Sequence, residues 1–321
     1  MVFLDISKAF DKVWHKGLLY KLESLGVRDL LLKWIKSYLT GRKQRVIIDG
    51  QSSDWREIEA GVPQGSVLGP LLFLIYINDI TCDLQCNRFL YADDTSLVEV
   101  VDDPDSTAVK LNCDLECITA WTRDWLVTIN PGKTKSITFS AKRLKPTHPT
   151  LYFANEAIEI VNNHKHLGVV LSSNLSWRVH FLNIYEKASK KLNLLKGLKF
   201  KISTETLSKL YKPFIRPVME YANVLWDGCS ESESDLIEFV RYQSAIAVTG
   251  AMKGITSRAR LLEELVWEDM KTRRSMHKLV LYFKIVNNLT PNYLLNLLPQ
   301  TVQQRSGLSL RYALNFNSIS S

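Results

Sequence analysis

The chain has 321 residues, 46% of them apolar and 23% charged, which suits one large or two ordinary globular domains and excludes wholesale disorder. Its longest apolar run, residues 67–77, falls short of the roughly 18–20 residues that cross a bilayer, so no membrane role is expected, and the first residues lack the apolar core of a signal peptide. Five cysteines, an odd count, suit reduced thiols inside a cell, with nucleus or cytoplasm left open, and a formal net charge of +8 favours acidic partners, nucleic acid first.

In chain order, apolar residues 2–6 predict a short buried strand. Residues 15–25 and 27–39 carry helical spacing on either side of Gly26. Residues 44–49 and 55–60 predict a hairpin, and the breakers in Gly61-Val62-Pro63-Gln64-Gly65 predict a loop. Residues 67–77 are apolar all round and predict a buried helix. Residues 88–91 and 95–98 flank Ala92-Asp93-Asp94 and predict a hairpin with acidic residues at its turn. Residues 104–126 predict an amphipathic helix with Pro104 near its start. Strand-like pieces follow at 136–140, 151–153, 157–161 and 166–171, and from about Trp177 the pattern is helical. Trp34, Trp121, Trp125 and Trp177 are expected as core anchors. Residues 306–321 are polar and expected to fray. The expected divisions are 1–172, mixed α and β; 173–226, basic helices; and 227–321, a further helical region.

The charge is uneven. Residues 1–130 hold 14 Lys and Arg against 19 Asp and Glu, and residues 131–321 hold 27 against 14. Between Lys187 and Arg216 there are nine basic residues and one acid, Glu205. Such density suits phosphate neutralisation, though any single lysine is equally a solvated side chain.

Two places set carboxylates against apolar sequence. Asp5 closes the first strand, and Asp93 and Asp94 follow Phe89-Leu90-Tyr91-Ala92. Buried carboxylates are costly unless paired with a cation or metal. Adjacent ones repel unless a divalent ion absorbs the charge. Oxygen-only donors suit Mg²⁺ shared with substrate phosphates. A bare Asp-Asp pair is also an ordinary turn. Cys82-x₃-Cys86 and Cys113-x₃-Cys117 have poor spacing for zinc and read as free thiols. His164 and His166 alternate on one strand and read as structural.

The surroundings of the carboxylates decide between these readings. Phe3-Leu4-Asp5-Ile6-Ser7-Lys8-Ala9-Phe10-Asp11 resembles motif A of the reverse transcriptase domain of non-long-terminal-repeat retrotransposons, of the jockey and chicken-repeat kind. Gly61-Val62-Pro63-Gln64-Gly65-Ser66-Val67-Leu68-Gly69-Pro70 resembles motif B, and Tyr91-Ala92-Asp93-Asp94 motif C. Asn130-Pro131-Gly132-Lys133-Thr134 resembles motif D, and His166-Leu167-Gly168 the primer grip. Arg216-Pro217-Val218-Met219-Glu220-Tyr221-Ala222, Val248-Thr249-Gly250-Ala251, Leu262-Glu263-Glu264-Leu265 and Arg273-Arg274 are similar to the family's region after the polymerase. Five motifs in order are far more specific than any one.

The resemblance implies an α+β fold: a palm with an antiparallel sheet, packed helices and partial fingers over 1–172, thumb-like basic helices over 173–226, and a C-terminal helical region. It implies RNA-directed DNA polymerase activity, with two Mg²⁺ ions (or Mn²⁺) on Asp5, Asp93 and Asp94. Phe10 would be the steric gate beneath the nucleotide sugar, although without motif A around it a Phe there reads as core. Tyr91 would lie at the nucleotide site, and Gln64 and Gly65 at the template side. Lys133 would protonate the leaving pyrophosphate or counter its charge. Lys187, Lys190, Lys191, Lys196, Lys199 and Lys201 would track phosphates. The implied partners are an RNA template, a DNA primer and deoxynucleotides, with other retrotransposon proteins or an upstream fingers and endonuclease segment. The match starts at motif A, so the chain is expected to be a truncated copy, active or reduced to nucleic-acid binding. Two departures stand out: Ser244-Ala245-Ile246 where the family leads one to expect paired arginines, and Val266 where it leads one to expect glycine.

Overall fold

The structure is a computed structural model that describes residues 1–142, 147–199, 201–251 and 257–298. The tail expected to fray, 306–321, lies outside the described residues. The chain divides into two compact units, Met1–Val179 and His180–Ser321.

The first unit begins with β1 (Val2–Leu4), a 3-10 turn at Ala9–Lys12, and the two expected helices, α1 (His15–Ser24) and α2 (Asp29–Leu39). Next comes a thin ribbon of β2 (Lys43–Gln44), β3 (Ile47–Ile48), β4 (Gln51–Ser52) and β5 (Arg56–Glu57), in which β2 pairs with β5 and β3 with β4. Helix α3 (Leu68–Ile77) follows. It is not buried all round as expected: Leu72, Phe73, Tyr76 and Ile77 face the core, whereas Leu71 and Leu74 are about half exposed. A helix has one inward stripe, and apolar residues on its other side stay in water unless a second layer covers them. Trp34 departs from expectation for the same reason. It lies on the outer face of α2 and is exposed.

The acidic hairpin is β6 (Asn87–Tyr91) and β7 (Asp94–Val98), followed by α4 (Pro104–Asp124). The Asp103 carboxylate accepts the Ser106 N–H at 2.8 Å and caps α4. Then come β8 (Lys135–Ser136), β9 (Tyr152–Phe153), β10 (Glu156–Ala157), β11 (Glu159–Ile160), β12 (Asn163–His166) and β13 (Val169–Ser172). The strand expected at 166–171 is instead the β12–β13 hairpin, which turns through Leu167 and Gly168, both at positive φ (45° and 83°). Five strands form one sheet in the order β11-β8-β1-β7-β6, with β1 in the centre and antiparallel to both neighbours. Alternation along β1 sends Val2 and Leu4 into the core among Leu72, Phe73 and Leu115. Phe3 faces the other way, onto His164 at 4.0 Å and His166 at 4.9 Å between ring centroids.

The second unit contains α5 (Arg178–Leu198), α6 (Thr204–Phe214), α7 (Arg216–Glu220), α8 (Glu231–Thr249), α9 (Arg258–Glu264), α10 (Met270–Val286) and a 3-10 turn at Asn292–Leu297. Trp226 is buried edge-on against Phe181 at 4.8 Å, and Tyr211 stacks on Trp267 at 3.7 Å. Arg274, 4% exposed, reaches Asp227 at 3.0 Å beneath the Trp226 ring. The Tyr211–Trp267 stack and the Arg274–Trp226 approach thus link residues on either side of the expected division at 226/227. Ser244 and Ala245 are fully buried in α8, which leaves no room for the arginines expected there.

Four helices end in the same way. At the ends of α1, α4, α9 and α10 the chain turns left-handed at Gly26, Leu126, Val266 and Asn288. Each of these N–H groups bonds back three residues: to Glu23, Arg123, Glu263 and Ile285. The next N–H reaches back five, to Leu22, Thr122, Leu262 and Lys284. This double closure satisfies the last carbonyls, and its left-handed position favours glycine.

Candidate active site

Strand pairing brings the carboxylates together. In the β1–β7 register Leu4 is opposite Thr95, so Asp5 and Asp94 fall opposite one another at the next step, on the face of Phe3. The β6–β7 hairpin closes with Tyr91 opposite Asp94, leaving Ala92 and Asp93 as its two-residue turn. Ala92 is held at φ 54°, a conformation that costs a non-glycine residue about 1–2 kcal/mol. Asp5 and Asp93 are both partly exposed.

The electrostatics follow from this crowding. Asp94's pKa is raised above the ordinary carboxylate value, by partial burial first, then by the negative charge of Asp93 and of Asp5. His166 faces Asp94 from β12; burial lowers its pKa while Asp94 pulls it back up. Lys133 enters through a turn tied to the strand end. The Asn130 N–H donates to the Asp5 carbonyl at 2.8 Å, and the Lys133 and Thr134 N–H groups both donate to the Asn130 carbonyl. The Lys133 ammonium then stands 3.7 Å from Asp5 Oδ2.

Phe10 leaves the 3-10 turn and stacks on Phe73 of α3 at 4.5 Å, while remaining half-buried. The motif B loop is stitched to this turn. The Val62 N–H donates to the Phe10 carbonyl, the Gly61 N–H to the Val13 carbonyl, and Gln64 Nε2 to Asp11 Oδ1 at 2.7 Å. A Cβ at Gly61 would lie 2.8 Å from the Asp11 carbonyl oxygen, so only glycine permits this approach, at φ 94°. At Gly65, by contrast, the space is open. Tyr91 projects from the edge strand and is exposed. Leu167 and Gly168 form the β12–β13 turn beneath His166.

Asp5, Asp93, Asp94, Lys133 and His166 thus lie together near one end of the sheet, while the turn that carries Phe10 is tied to the loop that carries Gln64 by the Val62–Phe10 backbone bond and the Gln64–Asp11 side-chain bond. The six lysines lie in the second unit. Lys187, Lys190, Lys196 and Lys201 are exposed, and Lys191 and Lys199 are half-buried. Lys190 is paired with Glu186 at 2.6 Å, and Lys191 donates to the Phe214 carbonyl at 2.9 Å. Lys187, Lys190 and Lys191 share a face of α5, and helical spacing turns Lys196 to the opposite side.

Sequence reasoning missed Asp11, which holds Gln64, and a cleft of about 670 Å³ between the 3-10 turn, the motif B loop and the ribbon. Its cations are Lys8, Lys12, Arg42 and Lys43. The available signal was a basic run, Arg42-Lys43-Gln44-Arg45, followed by an aromatic, Trp55.

The donors fit a divalent cation by chemistry: three carboxylates at adjoining positions, with the single ammonium of Lys133 set against Asp5. Among the described residues no three His, Cys, Asp or Glu side chains already stand close enough to enclose an ion. No helix among them is long and apolar enough to cross a membrane.

The family model described as reverse transcriptase (RNA-dependent DNA polymerase) matches residues 1–184. The chain belongs to the reverse transcriptase family. It is 33% identical, over 267 residues, to the RNA-directed DNA polymerase from mobile element jockey of Drosophila funebris, covering 78% of this chain and 28% of that protein. It is 29% identical over 262 residues to the probable RNA-directed DNA polymerase from transposon X-element of Drosophila melanogaster, with the same coverages. The chain therefore spans under a third of the length of these relatives. Among solved structures, telomerase from Candida albicans in complex with a fragment of telomeric RNA aligns with 84% of this chain and 51% of that one, at 12% identity and a TM-score of 0.41. Its mixture of helices and strands makes this family member an α+β protein.

Proposed function

We propose that the chain is the catalytic module of an RNA-directed DNA polymerase, extending a DNA primer on an RNA template with deoxynucleotides. The observation that carries this reading is the meeting of Asp5 and Asp94 across β1 and β7, with Asp93 in the adjoining turn and Lys133 against Asp5. Asp5 and Asp93, with Asp94 beside them, would hold two divalent ions, magnesium or manganese. Bound there, the ions would activate the primer hydroxyl and stabilise the leaving oxygen.

The chain's own residues supply the rest. Lys133, on a turn anchored to Asp5, would give its proton to the departing pyrophosphate. Phe10, braced by Phe73, would be the ring that a 2′-hydroxyl strikes, which favours deoxynucleotides. Gln64, oriented by Asp11, and Gly65 meet the template side, and Tyr91 lies at the nucleotide site. The β12–β13 turn, His166-Leu167-Gly168, supports the primer end. In this reading 1–172 is palm with part of the fingers, 173–226 a thumb whose Lys187, Lys190, Lys191, Lys196, Lys199 and Lys201 contact phosphates, and 227–321 a C-terminal helical region. The remaining partners would be other segments or proteins of the same element.

Primer extension on an annealed RNA template with Mg²⁺ tests this. Incorporation is expected, abolished by Asp93→Asn, and Phe10→Val should raise ribonucleotide incorporation by roughly tenfold or more. Template binding with no incorporation by the parent chain would overturn the catalytic reading and leave a nucleic-acid-binding relic.

A further inference from the structure

Helix α10 turns one stripe inward and leaves the opposite stripe bare. Met270, Arg274 and Ile285 are buried, and helical periodicity sets Met276, Leu279, Phe283 and Val286 on the far side. Those four, with Val280 and Tyr282 beside them, are 44–64% exposed. At roughly 150–200 Å² for each whole residue, the face offers roughly 450–600 Å² of apolar surface. That is the upper part of the range of about 300–600 Å² for the largest patch on an ordinary monomer. It is more than half of the ~800 Å² that each partner of a stable dimer buries. The 3-10 turn that packs against α10 adds Tyr293, also half-exposed.

Charge narrows what can cover this face. Three cations of α10 are spent on acids of the same unit: Arg273 on Glu220, Arg274 on Asp227 at 3.0 Å and Lys278 on Asp227 at 2.6 Å. The outer positions 275, 276, 279, 280, 282, 283, 286 and 287 hold no charged residue. Nucleic acid needs cations at its contact, and a distinct protein partner at a helical seam is selected by charges that flank it. A chain of net charge +8 repels its own copies except where the contact is uncharged, as it is here. The spacing is also self-complementary. Met276, Leu279, Phe283 and Val286 follow one another at three, four and three residues, the a/d seam of a helix pair. Run antiparallel about a twofold axis, that seam sets Leu279 against Phe283 of a second copy, and Met276 against Val286, in both directions. We infer that the outer face of α10 joins two copies of this chain into a dimer. This stands apart from the polymerase reading and does not depend on it.

The test is sedimentation velocity of the full chain, treated with nuclease so that no nucleic acid bridges two copies. A species of twice the 36.8 kDa of one chain is expected at micromolar concentration. Phe283→Glu should raise the dissociation constant by about 30-fold or more, the loss expected of one central aromatic anchor. Its melting temperature should hold, because that side chain is already half in water. Leu279→Lys should act in the same way. Mixing the two variants should restore the dimer, since the introduced lysine then meets the introduced glutamate across the seam. Leu74→Glu, on the outer side of α3, should leave the mass unchanged. A single species of one chain's mass overturns the inference and leaves the face to another segment or another protein. So do a dimer that survives both α10 variants, one that Leu74→Glu dissolves, and a mixture that stays monomeric.

Discussion

Among the described residues with left-handed backbone, Val266 is the β-branched one. It sits at φ 52° and occupies the one left-handed position of the α9 closure. Left-handed backbone costs an L-residue about 1–2 kcal/mol, and branching at Cβ pushes Val towards the upper figure. Glycine relieves that cost but gives back about 0.4–1 kcal/mol by loosening the unfolded chain. Val266 is 86% exposed, so little burial is lost. The net expectation for Val266→Gly is a gain of about 0.5–1 kcal/mol. At a urea slope of about 2 kcal/mol/M, the unfolding midpoint of the second unit should rise by roughly 0.3–0.5 M. The other closures provide the scale. Leu126→Gly relieves similar strain but gives up the burial of a side chain 58% exposed, so it should be close to neutral. Asn288→Gly should also change little, because Asn tolerates this backbone. A Val266→Gly chain no more stable than wild type, or no better than Asn288→Gly, would refute the reasoning.

Three further outcomes are expected. Gly61→Ala should destabilise by about 3–4 kcal/mol in urea, combining left-handed strain with weakening of the Gly61–Val13 and Val62–Phe10 bonds; Gly65→Ala, in open space, should pay the strain alone, about 1–2 kcal/mol. Asp94's raised pKa means the folded chain holds that proton more tightly than the unfolded one, so its ionisation at neutral pH opposes folding. Asp94→Asn should accordingly raise the melting temperature in metal-free buffer at neutral pH, the gain fading as pH falls towards the ordinary value of 3.8. Lys21 is buried among Tyr76, Trp121 and Trp125, donating to the Tyr76 carbonyl and to Asp79. Lys21→Met keeps the stem and loses those bonds, and should cost about 2 kcal/mol in the same urea assay.

Much of the first unit was legible because local pattern decided it. The helices either side of Gly26, the acidic hairpin and α4 follow from periodicity and breakers within a few residues. The meeting of Asp5 with Asp94 was not legible from pattern, since 89 residues separate the two and only the resemblance joined them. The approach of Lys133 to Asp5 depends on an Asn130 backbone bond that no side-chain pattern encodes. The exposed outer faces of α2 and α3 reversed the expectation for Trp34 and for residues 67–77, because apolar sequence does not say which layer covers it. Val266 shows the opposite case. The expected glycine marked a left-handed position that the structure retains with a residue poorly suited to it.

The central place of β1 has a consequence for synthesis. The strand leading to Asp5 has Ser136 as its partner on one side and Leu97 on the other, each opposite Val2. On a ribosome moving at about 5–20 residues per second, Val2 waits roughly 7–27 s for Ser136 to be made. Until Leu97 is made, after roughly 5–19 s, the middle strand has no neighbours, and until Ser136 follows one of its edges stays open to other nascent chains. Production of this protein should therefore respond to translation speed and to chaperones that shield a growing polypeptide.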